Sequence, residues 1–345
     1  MKVLITGGAG FIGTNYVYTH LELRPEDELV VLDALTYAGN RSNLAEAESK
    51  GVKFVQGRIE DQDAVDALFA KEKFDWVVHF AAETHVDRSI EDPSIFIKSN
   101  VIGTQVLLDA ARDHEVKRFH HISTDEVYGD LGFDSQDQFH EKMILDPSSP
   151  YSASKAASDL LCLAYKRTFG VPITISRCSN NYGPYQDLEK LIPLFITKAN
   201  NDEQVPLYGT GKNVRDWLYV RDHCEAILAI LEKGEIGEIY NIGGDNEIEN
   251  ITITKTILSA LGKPESLIKY VEDRKGHDER YAVSFKKLTD ATAWLPKVTF
   301  EEGMQETVQW YTLKSYERSY SSWRNRVKTG ATHQSHKQAP AADLR

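Results

Sequence analysis

The stretch Thr6–Gly13, TGGAGFIG, decides the fold. It follows the apolar, β-branched run KVLIT and leads into a helix-like segment. Gly8, Gly10 and Gly13 fit a G-x-G-x-x-G spacing, and Gly7 adds a fourth glycine. Alone the spacing is weak. Here a strand precedes it, a helix follows it, and Asp33 ends the next apolar run, ELVVLD. That context is the dinucleotide-binding fingerprint. Glycines let backbone approach a pyrophosphate, which sits on the helix N-terminus. An acid at the end of the second strand accepts from ribose hydroxyls and repels a 2′-phosphate, so the expected cofactor is NAD and not NADP.

Working outward, apolar runs recur at VKFVQG, DWVVHFAA, RFHHIST and ITISRCS. Between them lie amphipathic stretches such as AVDALFAKE, NVIGTQVLLDAARDH and YSASKAASDLLCLAYKRTF. Short continuous apolar strands alternating with helices predict a doubly wound parallel sheet, an α/β fold of Rossmann type. After Asn180 the alternation breaks into proline- and glycine-rich segments. The expected division is 1–178 plus 214–241 for the dinucleotide-binding domain. A smaller α+β substrate domain takes 179–213 plus 242–314, and 315–345 is a polar C-terminal extension. TFEEGMQETVQWY opens with a capping box, Thr299 and Glu302.

Bulk properties narrow the function. The 345-residue chain carries a formal net charge of −12, which argues against nucleic-acid or anionic-membrane partners. Three widely spaced cysteines, Cys162, Cys178 and Cys224, predict reduced thiols in a cytoplasmic protein and no disulfide or metal framework. No apolar run reaches the length of a membrane span, and the N-terminus reads as a strand and turn, not a signal peptide.

Two further stretches carry chemistry. YSASK places Tyr151 and Lys155 on one helix face, where an ammonium favours the phenolate and is expected to lower the Tyr151 pKa. STDEVYG puts Thr124, Asp125 and Glu126 at the carboxyl end of the fifth strand, where ligands of open parallel sheets bind. Two acids there also suit a helix N-terminus, but beside a Tyr–Lys pair they fit an acid and a base.

TGGAGFIG with YSASK resembles the extended short-chain dehydrogenase/reductases. STDEVYGDL, AAETHVDRSI, SNNYGPYQ, EKLIPL, RDWLYV and DRKGHDERYA narrow the resemblance to the dTDP-glucose 4,6-dehydratase family, over residues 1 to about 314. The Asp–Glu pair sets that family apart from related epimerases. The resemblance implies that Tyr151 takes the proton from the hydroxyl on carbon 4 as hydride leaves for NAD, with Thr124 bonded to the oxygen there. Glu126 removes the proton on carbon 5. Asp125 protonates the departing hydroxyl on carbon 6, and hydride then returns to carbon 6.

The resemblance also implies contacts. Gly7, Gly10, Phe11, Ile12 and Gly13 meet the pyrophosphate; Asp33, Ala34, Leu35 and Thr36 surround the adenosine. Phe80, Ala81, Ala82 and Ser99 close on the cofactor with Tyr151 and Lys155, and Asn181 lies near the nicotinamide. Thr84 and Asn180 meet the sugar or its phosphate. Glu189, Lys190, Leu191, Pro206, Leu207 and Tyr208 form the nucleotide-sugar pocket with Arg215, Asn250, Arg274, His277 and Tyr281. Three cations in it, Lys190, Arg215 and Arg274, suit a diphosphate. Arg58, before Ile59, stands where the family has an acid, and stacking of Arg58 on the adenine is the expected substitute. Thr84 stands for a commoner Ser, Lys275 for a Pro. The resemblance further implies a homodimer through helices near 94–113 and 151–169, and a place in the making of deoxysugars such as rhamnose. The alternatives are a dehydratase or epimerase acting on a UDP- or GDP-sugar, and a non-catalytic dinucleotide-binding protein.

Overall fold

A computed structural model describes residues 1–273 and 276–313. The strands are β1 (Lys2–Thr6), β2 (Glu28–Asp33), β3 (Lys53–Gln56), β4 (Trp76–His79), β5 (Arg118–Thr124), β6 (Ile173–Cys178), β7 (Asn180–Tyr182), β8 (Val205–Tyr208), β9 (Val214–Tyr219), β10 (Ile239–Ile242), β11 (Glu247–Glu249) and β12 (Ile268–Val271). The helices of the first half are α1 (Phe11–Leu23), α2 (Ala45–Ser49), α3 (Gln62–Glu72), α4 (Val86–Glu91), α5 (Pro93–Phe96), α6 (Gly103–Asp113) and α7 (Pro150–Phe169). They are followed by α8 (Leu191–Asn200), α9 (Val220–Lys233), α10 (Asn250–Ala260), α11 (Lys286–Thr292) and α12 (Phe300–Thr312).

Seven strands form one sheet in the order β10-β6-β5-β4-β1-β2-β3, and every pairing in it is parallel. The apolar runs produce this because a strand buried on both faces has no polar side to alternate with. Val3, Val31 and Val78 face a core shared with Tyr16 of α1, Ala47 of α2, Ile227 of α9 and Leu288 of α11. Leu4, Val30 and Val77 face the opposite core, with Phe69 of α3, Leu107 of α6 and Cys162 of α7. Strand order reverses between β1 and β4, which makes the crevice at their carboxyl ends the place for a ligand.

A second body is built from a three-stranded sheet, β11-β9-β7, and the pair β12-β8. α8, α10 and α12 cover it, packing Phe195, Ile257 and Met304 into a third core. The predicted capping box is present: the Thr299 side chain accepts from Glu302 N, and the Glu302 side chain accepts from Thr299 N. The segment 214–241, read from the sequence as returning to the first domain, divides. Its strand β9 pairs with β7 and β11, while α9 and β10 join the large sheet. Leu288 and Trp294 also lie in the first core. The chain therefore passes between the two bodies at 178–180, at 219–220, at 242–247, between 271 and 285, and again at 294–300.

All three cysteines are free and buried. Among the described residues no helix is long and apolar enough to cross a membrane, and no group of three His, Cys, Asp or Glu is placed to hold a metal. The expectations for the extension 315–345, for Arg274 and for Lys275 lie outside the described residues.

Candidate active site

The crevice at the strand ends holds a cavity of about 300 Å³ that runs from α1 to the start of α8. At one end the chain turns sharply after β1. Gly7 has φ +70°, and a Cβ there would stand 2.7 Å from Ala81 N. A Cβ on Gly13 would stand 2.2 Å from Gly7 O. Only glycine permits both the turn and the close start of α1. No side chain caps α1 at Gly10, so the amides of its first turn are left for a ligand, and an anion is the group they favour.

Asp33 ends β2 at the same rim. Its carboxylate accepts from Ala9 N at 2.9 Å and Leu35 N at 2.8 Å, which aims it at the cavity. Ala34, Thr36, Arg58, Ile59, Phe80, Ala81, Ala82 and Ser99 line the cavity as expected of them, together with Phe11 and Ile12. Arg58 is held by Glu60 at 3.1 Å, a partner that sequence reasoning missed. Leu35 departs from its expected place. It does not line the cavity, because its side chain packs against the first core. Tyr37, also missed, lines the wall next to Thr84, with its hydroxyl 3.4 Å from Thr84 Oγ1.

At the other end β5 stops at Thr124, whose hydroxyl accepts from Glu126 N at 3.3 Å and so caps a short 3₁₀ turn, Asp125–Tyr128. The turn brings both acids to the cavity wall, which a continued strand would not do. Asp125 is 2 % exposed, and its Oδ2 has no hydrogen-bond partner among the described residues. Burial pushes the Asp125 carboxyl well above the usual range; Glu126 and then Asp216 push the same way, against a smaller pull from Arg215. Such a rise favours the protonated form, the state a general acid needs.

Tyr151 and Lys155 sit one turn apart on α7, which starts from a Ser149–Ser152 capping box with Pro150 in its first turn. Lys155 donates to Ile122 O at 2.7 Å, tying α7 to β5. The expected downward shift of Tyr151 is not what the protein alone produces. Burial pushes the phenol well above 10, Glu126 and Cys178 add to it, and the Thr124 hydroxyl pulls the other way. The reason is that the phenol is enclosed and faces the acid pair.

Asn180 and Asn181 line the cavity. Asn181 is fixed by donating to Ser179 O at 2.9 Å, with its Oδ1 2.9 Å from His223 Nδ1. Glu189 and Lys190 also line it, but both are engaged: Arg88 donates to Glu189, and Lys190 donates to Thr84 O at 3.1 Å. Arg88, which also lies over the Tyr37 ring at 4.0 Å, carried no signal in the sequence beyond its place in AAETHVDRSI.

The remaining nucleotide-sugar residues that the structure describes do not line this cavity. Leu191 and Leu207 turn into the third core, which corrects the expected contact for their side chains. Pro206 and Tyr208 lie with Leu207 on β8, and the Tyr208 ring is 6.3 Å from His277. Arg215 lies over Tyr281 at 4.3 Å and donates to Val214 O and Asp278 O. The pair continues outward from the acids, since Glu126 acts electrostatically on Tyr281 and Arg215 on Asp125. Asn250 opens α10 with a buried Oδ1 that has no partner among the described residues.

Comparison with known proteins agrees with this geometry. The family model for GDP-mannose 4,6 dehydratase matches residues 4–307. The dTDP-glucose 4,6-dehydratase of Mycobacterium tuberculosis is 50% identical over 312 residues, covering 90% of this chain and 93% of its own. That of Escherichia coli K12 is 47% identical, covering 96% of each chain. The crystal structure of DesIV from Streptomyces venezuelae, a dTDP-glucose 4,6-dehydratase with NAD bound, superposes with a TM-score of 0.88 at 46% identity, over 94% of this chain and 98% of that one. A UDP-glucose 4-epimerase of Thermus thermophilus in complex with NAD gives 0.83 at 33% identity, over 90% of this chain and 99% of that one. With a dinucleotide crevice, a Tyr–Lys pair and two acids at its β5 end, and relatives of that name along nearly its whole length, the chain belongs to the dTDP-glucose 4,6-dehydratase family of extended short-chain dehydrogenase/reductases.

Proposed function

We propose that the protein dehydrates dTDP-glucose to dTDP-4-keto-6-deoxyglucose with tightly held NAD, as a hydro-lyase. The observation that carries this reading is the enclosed Asp125 beside Glu126 on the cavity wall shared with Tyr151 and Lys155. Epimerisation at carbon 4 has no use for an acid and a base there; elimination across carbons 5 and 6 needs both.

The residues fit the cofactor. The uncapped turn of α1 suits a pyrophosphate, the glycine turn leaves room for it, and Asp33 presents acceptors to ribose hydroxyls. When bound, NAD would supply the hydride acceptor and donor, and the positive charge of its oxidised form would oppose the upward pull of burial on Tyr151. Tyr151 receives the proton of the hydroxyl on carbon 4, with Thr124 against the same oxygen. The ketone so formed acidifies the proton on carbon 5, and Glu126 accepts it. Asp125 gives its proton to the hydroxyl on carbon 6, which departs as water. Glu126 then returns its proton to carbon 5 as the hydride removed from carbon 4 is restored at carbon 6, so no net redox change results.

The nucleotide end is assigned to Arg215, Asn250, Tyr208 and Tyr281 beyond the cavity, with Glu189 and Lys190 at its edge. We assign the first body of the fold to the cofactor and the second to the nucleotide. Ile97, Ile102, Leu160 and Phe169 are each 45–57 % exposed on the helical face of α7 and the segment before α6, and a homodimer through that face would cover them.

The test is competition. Equal dTDP-glucose, UDP-glucose and GDP-mannose are supplied with NAD, and each mass is followed. Loss of one water from the dTDP-sugar alone is the expected result. Water loss from another sugar overturns the nucleotide assignment, and an isomer of unchanged mass overturns the roles of Asp125 and Glu126.

A further inference from the structure

Beneath Tyr151 lies a charged group that the proton transfers above do not use. Lys155 and Asp159 are one turn apart on α7. His121 of β5 and Arg177 of β6 face them, and all four are 4 % exposed or less. Arg177 Nε donates to Asp159 Oδ2 at 2.8 Å, and Arg177 Nη1 to the Tyr128 hydroxyl at 2.9 Å. That hydroxyl donates in turn to Asn241 Oδ1 at 2.7 Å. One oxygen of Asp159 is thus fixed from β6. The other, Oδ1, makes no hydrogen bond among the described residues and lies 3.4 Å from His121 Nε2. The same His121 nitrogen is 3.4 Å from Lys155 Nζ.

We propose that Asp159 is a positioning residue, the buried counter-ion that keeps Lys155 an ammonium beneath Tyr151, with Arg177 and Tyr128 holding its carboxylate in place. The inference rests on reading Tyr151 and Lys155 as the proton-handling pair.

An ammonium in a dry interior gives up its proton unless an anion accompanies it. The titratable or charged groups that face Lys155 are Tyr151, Asp159 and Cys162 from α7, His121 from β5, Cys178 and Arg177 from β6, and His79 from β4. Burial holds both histidines neutral, His121 at about 4, and pushes both thiols up so that they stay protonated. That leaves Asp159 as the anion among them. Burial is the largest influence on Lys155 and pulls it down; Asp159 is the first to oppose it.

Arg177 adds a second consequence. With it, the cluster holds two cations and one anion, so one positive charge remains uncompensated. A phenolate at Tyr151 would neutralise that charge. Oδ1 is turned away from Arg177 and toward His121 Nε2, which stands 3.4 Å from both Asp159 Oδ1 and Lys155 Nζ and so links the carboxylate to the ammonium.

The experiment reads Lys155 directly. Protein carrying ε-¹³C lysine is titrated by NMR, and Lys155→Met assigns the resonance. In Asp159→Asn the Lys155 midpoint is expected at lower pH than in the unaltered protein, and Asp159→Glu is expected to restore most of it. Asp159→Asn leaves Arg177 unpaired and buried, so Asp159→Asn/Arg177→Gln, which removes both charges, is measured as the variant protected against misfolding, with the same downward shift expected. With dTDP-glucose, kcat falls and KM stays within about twofold, since Asp159 is buried and does not line the cavity. An unchanged Lys155 midpoint in either folded variant overturns the proposal. The two readings fail separately: absence of turnover by the unaltered protein removes the proposed function, while the titration still decides the role of Asp159.

Discussion

Asp125 shows how much a single residue can tell and where the sequence stops. Two acids after a strand-end Thr were legible as an acid–base pair from residue type and position. Which of them is the acid came only from the resemblance, because the physical cause is burial behind the 3₁₀ turn together with the charges of Glu126, Asp216 and Arg215, the last two about ninety residues away in sequence. Asp125→Asn is expected to lower kcat by roughly 10²- to 10⁴-fold, the span of general acid catalysis. Oxidation at carbon 4 does not need this acid, so reduced cofactor should accumulate in a stopped-flow trace at 340 nm (~, the nicotinamide band). The raised pKa also fixes a sign. Activity is retained while Asp125 is protonated and lost as pH rises through its folded value, so the alkaline limb of the wild-type profile should be missing in Asp125→Asn. Tyr151 was misjudged for the same reason: spacing put Lys155 beside it, but burial and Glu126 outweigh the lysine in the protein alone.

Among the elements, the large sheet was legible throughout because strands buried on both faces are apolar without interruption. The smaller sheet was not, since β7 and β11 are three residues each and carry no period. Nor was the π-helical turn Ile97–Ile102 that precedes α6 and places Ser99 on the cavity. The joint between α1 and β2 shows an element fixed by charge. Asp27 accepts from the N-terminal ammonium at 2.6 Å and Arg24 Nε at 2.7 Å, and lies 2.9 Å from His20 Nε2. Burial alone would raise its pKa, but Arg24, the N-terminus and His20 together bring it down to about 2. A depressed carboxylate stabilises the fold above its unfolded pKa and loses that contribution as pH falls through the folded one. Asp27→Asn should therefore cost on the order of 2 kcal/mol near neutrality. Urea unfolding should show the gap between variant and wild type closing between pH of about 4 and about 2.

For the molecule as a whole, the crevice at the strand ends was legible in the sequence, while the division of 214–241 between the two bodies and the far end of the nucleotide pocket were not. Leu191 and Leu207 read as ligand contacts because they sit in matching motifs, yet their side chains fill a core. Subunit association is decided at this scale as well. Leu160 is 57 % exposed in the middle of α7, and Leu160→Glu should shift the protein from dimer to monomer in sedimentation velocity at micromolar concentration. A wild-type protein that sediments as a monomer would overturn the dimer.

The five passages of the chain between the two bodies have a consequence for how such a protein can change. Neither body is a contiguous cassette, so no cut-and-paste of one segment can exchange the nucleotide-side body for another. A new sugar-nucleotide preference has to be reached by point substitutions on β8, β9, α10 and the segment around Tyr281. The first body, whose α7 carries Tyr151 and whose β5 leads into the acid pair, must stay folded through every one of them.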